Sequence, residues 1–168
     1  MEQRLRAGLS EVLYSSEAQG RKKQVILVMG VEGSGKSVHS ELIAQRYGLP
    51  KVVMGDEFRK TAELDNTELG IACRRILQEG IYADDELFWK VFENRFNKDD
   101  VKDGVVIDGA FRAIGQIEGF REKIKEYIGD ADITVFFLRA PVWQGALRAI
   151  ERGGRYDTPE IVLSRQNS

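Results

Sequence analysis

Gly30-Val31-Glu32-Gly33-Ser34-Gly35-Lys36-Ser37 satisfies the spacing G-x-x-x-x-G-K-[ST] without a gap. Glycines at those positions let the backbone curl so that successive N–H groups point inward at an anion. A helix that starts at the end of the curl adds the partial positive charge of its N-terminus. Lys36 would reach the β- and γ-phosphates of a nucleotide, and the Ser37 hydroxyl would ligate Mg2+. A dinucleotide-binding turn is the alternative, and Asp56 does lie 21 residues beyond Gly35. Against it, the spacing is not G-x-G-x-x-G, Val38 stands where a third glycine belongs, and Lys36 would have no task. A second chemical element follows at Val105-Val106-Ile107-Asp108, an apolar run that delivers one carboxylate to a strand end. An Asp-Gly turn alone means little. Next to a phosphate loop, Asp108 reads as the acid of a Mg2+ site.

Phosphoryl transfer asks the protein for positioning and for cancellation of spread negative charge. Guanidinium groups suit this because they stay ionised and grip phosphate oxygens in pairs. Arg59 follows Gly55-Asp56, and Arg112 follows Asp108-Gly109. Arg148 and Arg152 are four apart on one helical stretch and share a face, and Arg155 and Arg165 follow in a polar segment. Any one of them alone reads as a solvated surface charge. Six spaced around one sheet edge read mostly as phosphate ligands.

These groups need a frame. Residues 24–29 (QVILVM) are a short, β-branched, nearly continuous apolar run, the pattern of a strand buried on both faces in a parallel sheet. A helix is expected over 36–47, burying Val38, Leu42 and Ile43 and ending at Gly48. Pro50 introduces a second strand over 51–54. Residues 56–98 are helical in pattern, broken at Asp65-Asn66 and at Gly80. In their last segment Asp84 is the expected N-cap, and Leu87, Phe88, Val91, Phe92 and Phe96 share a face. A third strand over 105–107, one helix carrying Ile114, Ile117, Phe120, Ile124 and Ile128, a fourth strand over 133–138 (ITVFFL) and a helix over 143–152 complete the order. Strands alternating with helices imply an α/β fold, a parallel sheet wrapped by helices, with ligands at the carboxyl edge of its strands.

Length and composition bound the rest. A length of 168 residues predicts one domain, or a core with a small insertion, and 42% hydrophobic with 31% charged residues is the composition of a folded, water-soluble chain. One cysteine and one histidine exclude an internal disulfide framework, a thiolate cluster and any site needing two imidazoles. A net charge of −2, without a basic patch interleaved with aromatics, argues against nucleic acid as a partner. No run approaches the roughly 18 apolar residues of a membrane span. Residues 1–23 form an N-terminal extension in which Leu5, Leu9, Val12 and Leu13 mark an amphipathic helix over 3–19. It lacks the apolar core of a secretory signal, and Glu2, Glu11 and Glu17 argue against a mitochondrial transit peptide, so a cytoplasmic protein is expected.

From about residue 25 to the end, five blocks in order resemble the adenylate kinases, within the nucleoside monophosphate kinases. They are GVEGSGKS at 30–37, GDEFRK at 55–60, TELGIACRRILQEGIYADDEL at 67–87, DGAFRAIGQ at 108–116 and RAIERGGRYDTPEIVLSR at 148–165. The resemblance implies a P-loop NTPase-like sheet over 24–168, with a helical acceptor-binding insertion over 56–98 and a very short lid region over 148–165. It implies transfer of the γ-phosphoryl group of Mg-ATP to AMP by a monomer. ATP would lie on Gly30, Gly33, Ser34, Gly35, Lys36, Ser37 and Val38, with Arg148 on its adenine. The monophosphate would lie on Met54, Gly55, Arg59, Tyr82, Ala83, Gly109, Arg112 and Gln116. Lys36, Arg112, Arg152, Arg155 and Arg165 would act on the moving phosphoryl group, and Ser37 and Asp108 on Mg2+. Gln116 favours adenine, because a carboxamide offers both a donor and an acceptor to that base edge. A UMP- or CMP-type kinase, or a nucleotide-binding fragment impaired in catalysis, are the alternatives.

The chain departs from the family pattern at several points. Glu32 replaces a proline, Ser37-Val38 replaces Gly-Thr, and Ala110-Phe111 replaces Phe-Pro. Met54 takes the place of a threonine or alanine beside the acceptor base. Family members continue past the lid with the rest of a helix, a fifth strand and a final helix, whereas this sequence stops three residues after Arg165. In the family the fifth strand covers the edge of the fourth; four strands are therefore expected here, with ITVFFL as an apolar edge, and either the sequence is a fragment of a longer chain or the N-terminal helix covers part of the gap.

Overall fold

The computed structural model describes residues 22–111, 114–152, 158–160 and 162. The expected helix over 3–19 and Arg112, Arg155 and Arg165 lie outside the described residues, as does the side chain of Arg152. The elements run β1 (Lys23–Gly30), α1 (Lys36–Tyr47), β2 (Lys51–Val53), α2 (Met54–Leu64), α3 (Glu68–Glu79) and α4 (Asp85–Phe96). They continue with β3 (Gly104–Asp108), α5 (Ile114–Glu118), α6 (Phe120–Tyr127), β4 (Ala131–Leu138) and α7 (Val142–Arg152). All four strands are parallel, in the order β2-β3-β1-β4. The expected α/β class and sheet are thus present. No helix among the described residues is long and apolar enough to cross a membrane.

Alternation along the central strands divides the core in two. Val25 and Leu27 of β1 and Val105 and Ile107 of β3 face a large cluster with Phe88, Phe92 and Phe96 of α4 and Phe120 and Ile124 of α6. Ile26, Val28 and Val106 face α1 through Ala44. Within the large cluster the Phe92 and Phe96 rings stack with centroids 3.8 Å apart and planes 9° apart, and Phe88, Trp89 and Phe120 pack around Phe92. The apolar face read for α4 is buried throughout, and Asp84 caps the helix by accepting a hydrogen bond from the Leu87 N–H at 2.8 Å.

Three expectations need correction. First, α1 buries Ser40 and Ala44, with Ile43 half-buried, while Val38 and Leu42 are exposed. A helix that lies close on a sheet favours small side chains at the contact. Second, β2 ends at Val53, and Met54 already begins α2. Third, the helix read through Ile114 to Ile128 is two helices separated at Gly119; Phe120, Ile124 and Ile128 are buried, but Ile117 is exposed.

One ion-pair network ties the helical layer together. The Arg95 guanidinium of α4 forks onto Asp100, at 2.8 and 2.6 Å, and lies 3.8 Å from Glu57 of α2. Arg95 and Glu57 are both buried. The two hydrogen bonds from Arg95 hold the Asp100 carboxyl below the ordinary aspartate range.

Two stability predictions follow from these contacts. Phe92→Ala removes the ring at the centre of the aromatic cluster, and chemical denaturation is expected to show a loss of about 3–5 kcal/mol. Because the Asp100 pKa is lowered on folding, its contribution is present above the unfolded value of about 3.9. It is lost as pH falls through the lower folded value. Asp100→Asn should therefore lower Tm at pH 7, with the gap to the native chain closing as acid protonates Asp100; a gap that is constant down to strong acid contradicts this.

Candidate active site

The strand register decides which groups meet. Val28 of β1 pairs with Asp108 of β3, and Asp108 pairs with Val53 of β2. The loop after β1, the carboxylate of β3 and the start of α2 therefore emerge side by side at the carboxyl edge. Gly109 is drawn against this edge by a hydrogen bond from its N–H to the Val28 carbonyl at 3.1 Å. A cleft of about 460 Å³ opens there.

One half of the cleft is the phosphate loop. Gly33 and Gly35 have φ of +74° and +92°, the left-handed region that glycine enters without steric cost. Gly35 is the N-cap of α1, so the first free N–H groups of that helix open toward the loop. Lys36 folds back along the loop, and its Nζ donates to the carbonyls of Gly30 and Val31 at 2.9 and 2.8 Å. Those bonds hold the ammonium at the cleft wall beside Gly109, where an added methyl group would sit 3.6 Å from Lys36 Cε. Gly33, Gly35, Lys36, Ser37 and Val38 all line the cleft, and so does Glu32. Gly30 and Ser34 do not. Gly30 is packed against Leu138 of β4, and the Ser34 hydroxyl is buried.

Helix α7 approaches the same loop. Gly145 meets the backbone of Glu32 and Gly33 so closely that neither glycine position has room for a Cβ. This contact brings Arg148 over the loop, where its guanidinium donates to the Gly33 carbonyl at 3.3 Å.

Between the two halves stands Asp108, buried at the end of β3. Its Oδ2 accepts from the Ser40 hydroxyl at 3.1 Å, and Ser40 Oγ lies 3.2 Å from the carbonyl of Ser37. Ser40 is fully buried. It was not among the residues read from the sequence; its signal is its place one turn beyond Ser37 on the inward side of α1. The donors available to a cation are the exposed Ser37 hydroxyl and the anchored Asp108 carboxylate, oxygen atoms only. No group of three or more His, Cys, Asp or Glu side chains that could hold a metal occurs among the described residues. Two oxygen ligands with room for phosphates and water fit Mg2+, which keeps much of its hydration and rarely takes a closed protein cage.

The other half is built from the helical layer. Met54 is buried at the start of α2, and Phe58, Ile76, Leu77, Ile81 and Phe88 extend an apolar wall that the motif reading had not named. Arg59 lines the cleft above Gly55 and is ion-paired with Asp56. Tyr82, Ala83, Gly109 and Gln116 complete this side. Gln116 is buried, and its Nε2 donates to the Ala83 carbonyl at 3.2 Å. An apolar slot ending in a carboxamide, with an arginine at its mouth, suits a flat base and a phosphate.

Comparison with known proteins agrees with this geometry. The family model described as adenylate kinase matches residues 28–166. The adenylate kinase of Mycobacteroides abscessus is 30% identical over 142 residues, which is 84% of this chain and 77% of that protein. That of Mycobacterium marinum is 29% identical over 140 residues, covering 83% and 76%. That of Lachnoclostridium phytofermentans is 35% identical over 101 residues, covering 60% and 46%. A glycine loop with its lysine, a buried strand-end carboxylate and an apolar slot thus coincide with a family match over most of the sequence, and the chain belongs to the adenylate kinase family of nucleoside monophosphate kinases.

Proposed function

We propose that this kinase moves the γ-phosphoryl group of ATP, taken up with Mg2+, to AMP, in the reversible reaction ATP + AMP = 2 ADP. The observation that carries the reading is the single cleft shared by Lys36, Ser37 and Arg148 on one side and Met54, Arg59 and Gln116 on the other. An oxygen of the AMP phosphate attacks the γ-phosphorus, the bond from that phosphorus to the β–γ bridging oxygen breaks, and ADP leaves from both sides. Lys36 and the loop N–H groups hold the donor phosphates as charge shifts to the bridging oxygen. Arg59 holds the acceptor phosphate in line. Ser37 and Asp108 would hold Mg2+, which would supply charge neutralisation to the donor phosphates.

In this reading, residues 56–98 are the acceptor-binding insertion and 148–165 the lid region. Arg112, Arg152, Arg155 and Arg165 would close the ring of positive charge around the moving group. Closure of the two segments would exclude water, which competes with AMP as acceptor. Gln116 would read the adenine edge from the floor of the slot, which Met54 narrows.

A coupled assay with ATP and AMP, UMP, CMP or dTMP tests the reading. AMP is expected to be the best acceptor. Faster turnover of UMP or CMP would reassign the slot, and background rates with all four would leave a nucleotide-binding protein. Lys36→Met should cut kcat by about 10²- to 10³-fold, the loss typical of removing one preorganised donor. Ser40→Ala should leave the KM for AMP unchanged and raise the Mg2+ concentration for half-maximal rate by about tenfold, as for other residues that orient a metal ligand. Direct titration of the ATP complex with Mn2+ should show the same loss of affinity. Unchanged metal dependence in both measurements would remove Ser40 from the site.

A further inference from the structure

Helix α2 stands between two hollows. Met54, Gly55, Phe58 and Arg59 line the active cleft on one side. Glu57, Lys60, Thr61 and Leu64 line a second hollow, of about 390 Å³, between α2 and α4 on the other. Two steps along a helix turn the chain by about 200°, so Glu57 and Arg59 leave opposite sides of the same turn. No side-chain cap pins the start of the helix at Val53. A helix with open space on both flanks is held in rotation by fewer side chains than one in a filled core.

Arg59 travels with the first turn of α2. Its guanidinium lies over Gly55 and is ion-paired with Asp56. Glu57 belongs to the same turn and is only 9% exposed. Its Oε1 accepts from Lys60 Nζ at 2.9 Å and lies 3.8 Å from Arg95 Nε. Lys60 is part of α2 itself and its side chain is 62% exposed, so the contact that reaches another element is the one with Arg95. Arg95 is 8% exposed and is fixed on α4 by its fork onto Asp100. Stability does not account for such a pair, because apolar side chains of like volume hold two helices together as well or better. Opposite charges add a preferred rotation and register.

We propose, on the reading of Arg59 as the ligand of the acceptor phosphate, that Glu57 is a positioning residue: through Arg95 it sets the rotation of α2 and with it the place of Arg59 in the cleft. The lever is short and stiff. A rotation of α2 by about 10° carries a group at its outer radius of about 5–6 Å through about 1 Å. A misplacement of about 1 Å in a reacting pair costs up to about a hundredfold in rate. The donor half of the cleft is built on the phosphate loop and α7, so the effect of Glu57 falls on the acceptor and not on ATP.

The test is a double-mutant cycle in the full chain, read by calorimetry with AMP and with ATP. Arg59→Ala is expected to weaken AMP about 10- to 100-fold, the loss of a charge-assisted hydrogen bond. Glu57→Gln, which keeps the shape and removes the charge, should weaken AMP about three- to tenfold. It should leave ATP within about twofold. Placed on top of Arg59→Ala, Glu57→Gln should change AMP binding by less than about twofold, because the group it positions is gone. Arg95→Lys, which keeps the charge and loses the planar fork, should reproduce the selective loss from the α4 side. Losses that simply add in the double variant, losses that fall equally on ATP and AMP, or an unchanged AMP affinity in Glu57→Gln would each overturn the proposal and leave Arg59 as the ligand. If the native chain takes no AMP, or Arg59→Ala binds it as well as the native chain does, the reading of Arg59 falls and the proposal with it.

Discussion

The site depends on the adjacency of two parallel strands. β1 and β3 are hydrogen-bonded neighbours, although α1, β2 and the whole helical layer of α2, α3 and α4 lie between them in sequence. Their register sets the glycine loop beside Asp108. Shifting it by one residue would turn Asp108 to the other face of the sheet and bury a valine or isoleucine differently on both sides. The five fully buried residues Val25, Val28, Val105, Val106 and Ile107 oppose that slip. The hydrophobic core and the phosphate chemistry are therefore specified by the same contacts.

A second layer of constraint comes from small side chains at close approaches. Ser40 and Ala44 let α1 lie near the sheet, and the Ser40 hydroxyl uses that closeness to reach Asp108. Gly145 lets α7 touch the loop, and Arg148 follows from it. In both cases packing places a charged or polar group where a phosphate or its cation would need it. Lys36 is likewise held by carbonyls of the loop it serves, so its entropy of ordering is spent before a nucleotide arrives.

Much of this was legible in the residue order, for local reasons. The loop has its own backbone chemistry in Gly33 and Gly35, α4 has its cap at Asp84, and β1 and β3 have unbroken apolar runs. What was not legible depends on partners far along the chain. Val38 and Leu42 look like a buried face until the sheet's distance from α1 selects Ser40 and Ala44 instead. Ser40 looks like an ordinary helix serine until Asp108, 68 residues later, is set against it. The apolar wall of Phe58, Ile76, Leu77, Ile81 and Phe88 looks like plain core, because nothing local separates a residue that lines a cleft from one that fills a core. Arg112, Arg155, Arg165 and the side chain of Arg152, which the motifs single out, lie outside the described residues, and the basic side chains seen lining the cleft are Lys36, Arg59 and Arg148.

The central claim is that one cleft seats two nucleotides with their phosphates facing each other. Calorimetry with a single molecule that joins two adenosines through a chain of five phosphates tests it most directly. The account predicts one molecule bound per chain, far more tightly than ATP or AMP alone, and competition with both. An affinity no better than that of ATP, with AMP still able to bind alongside, would contradict it.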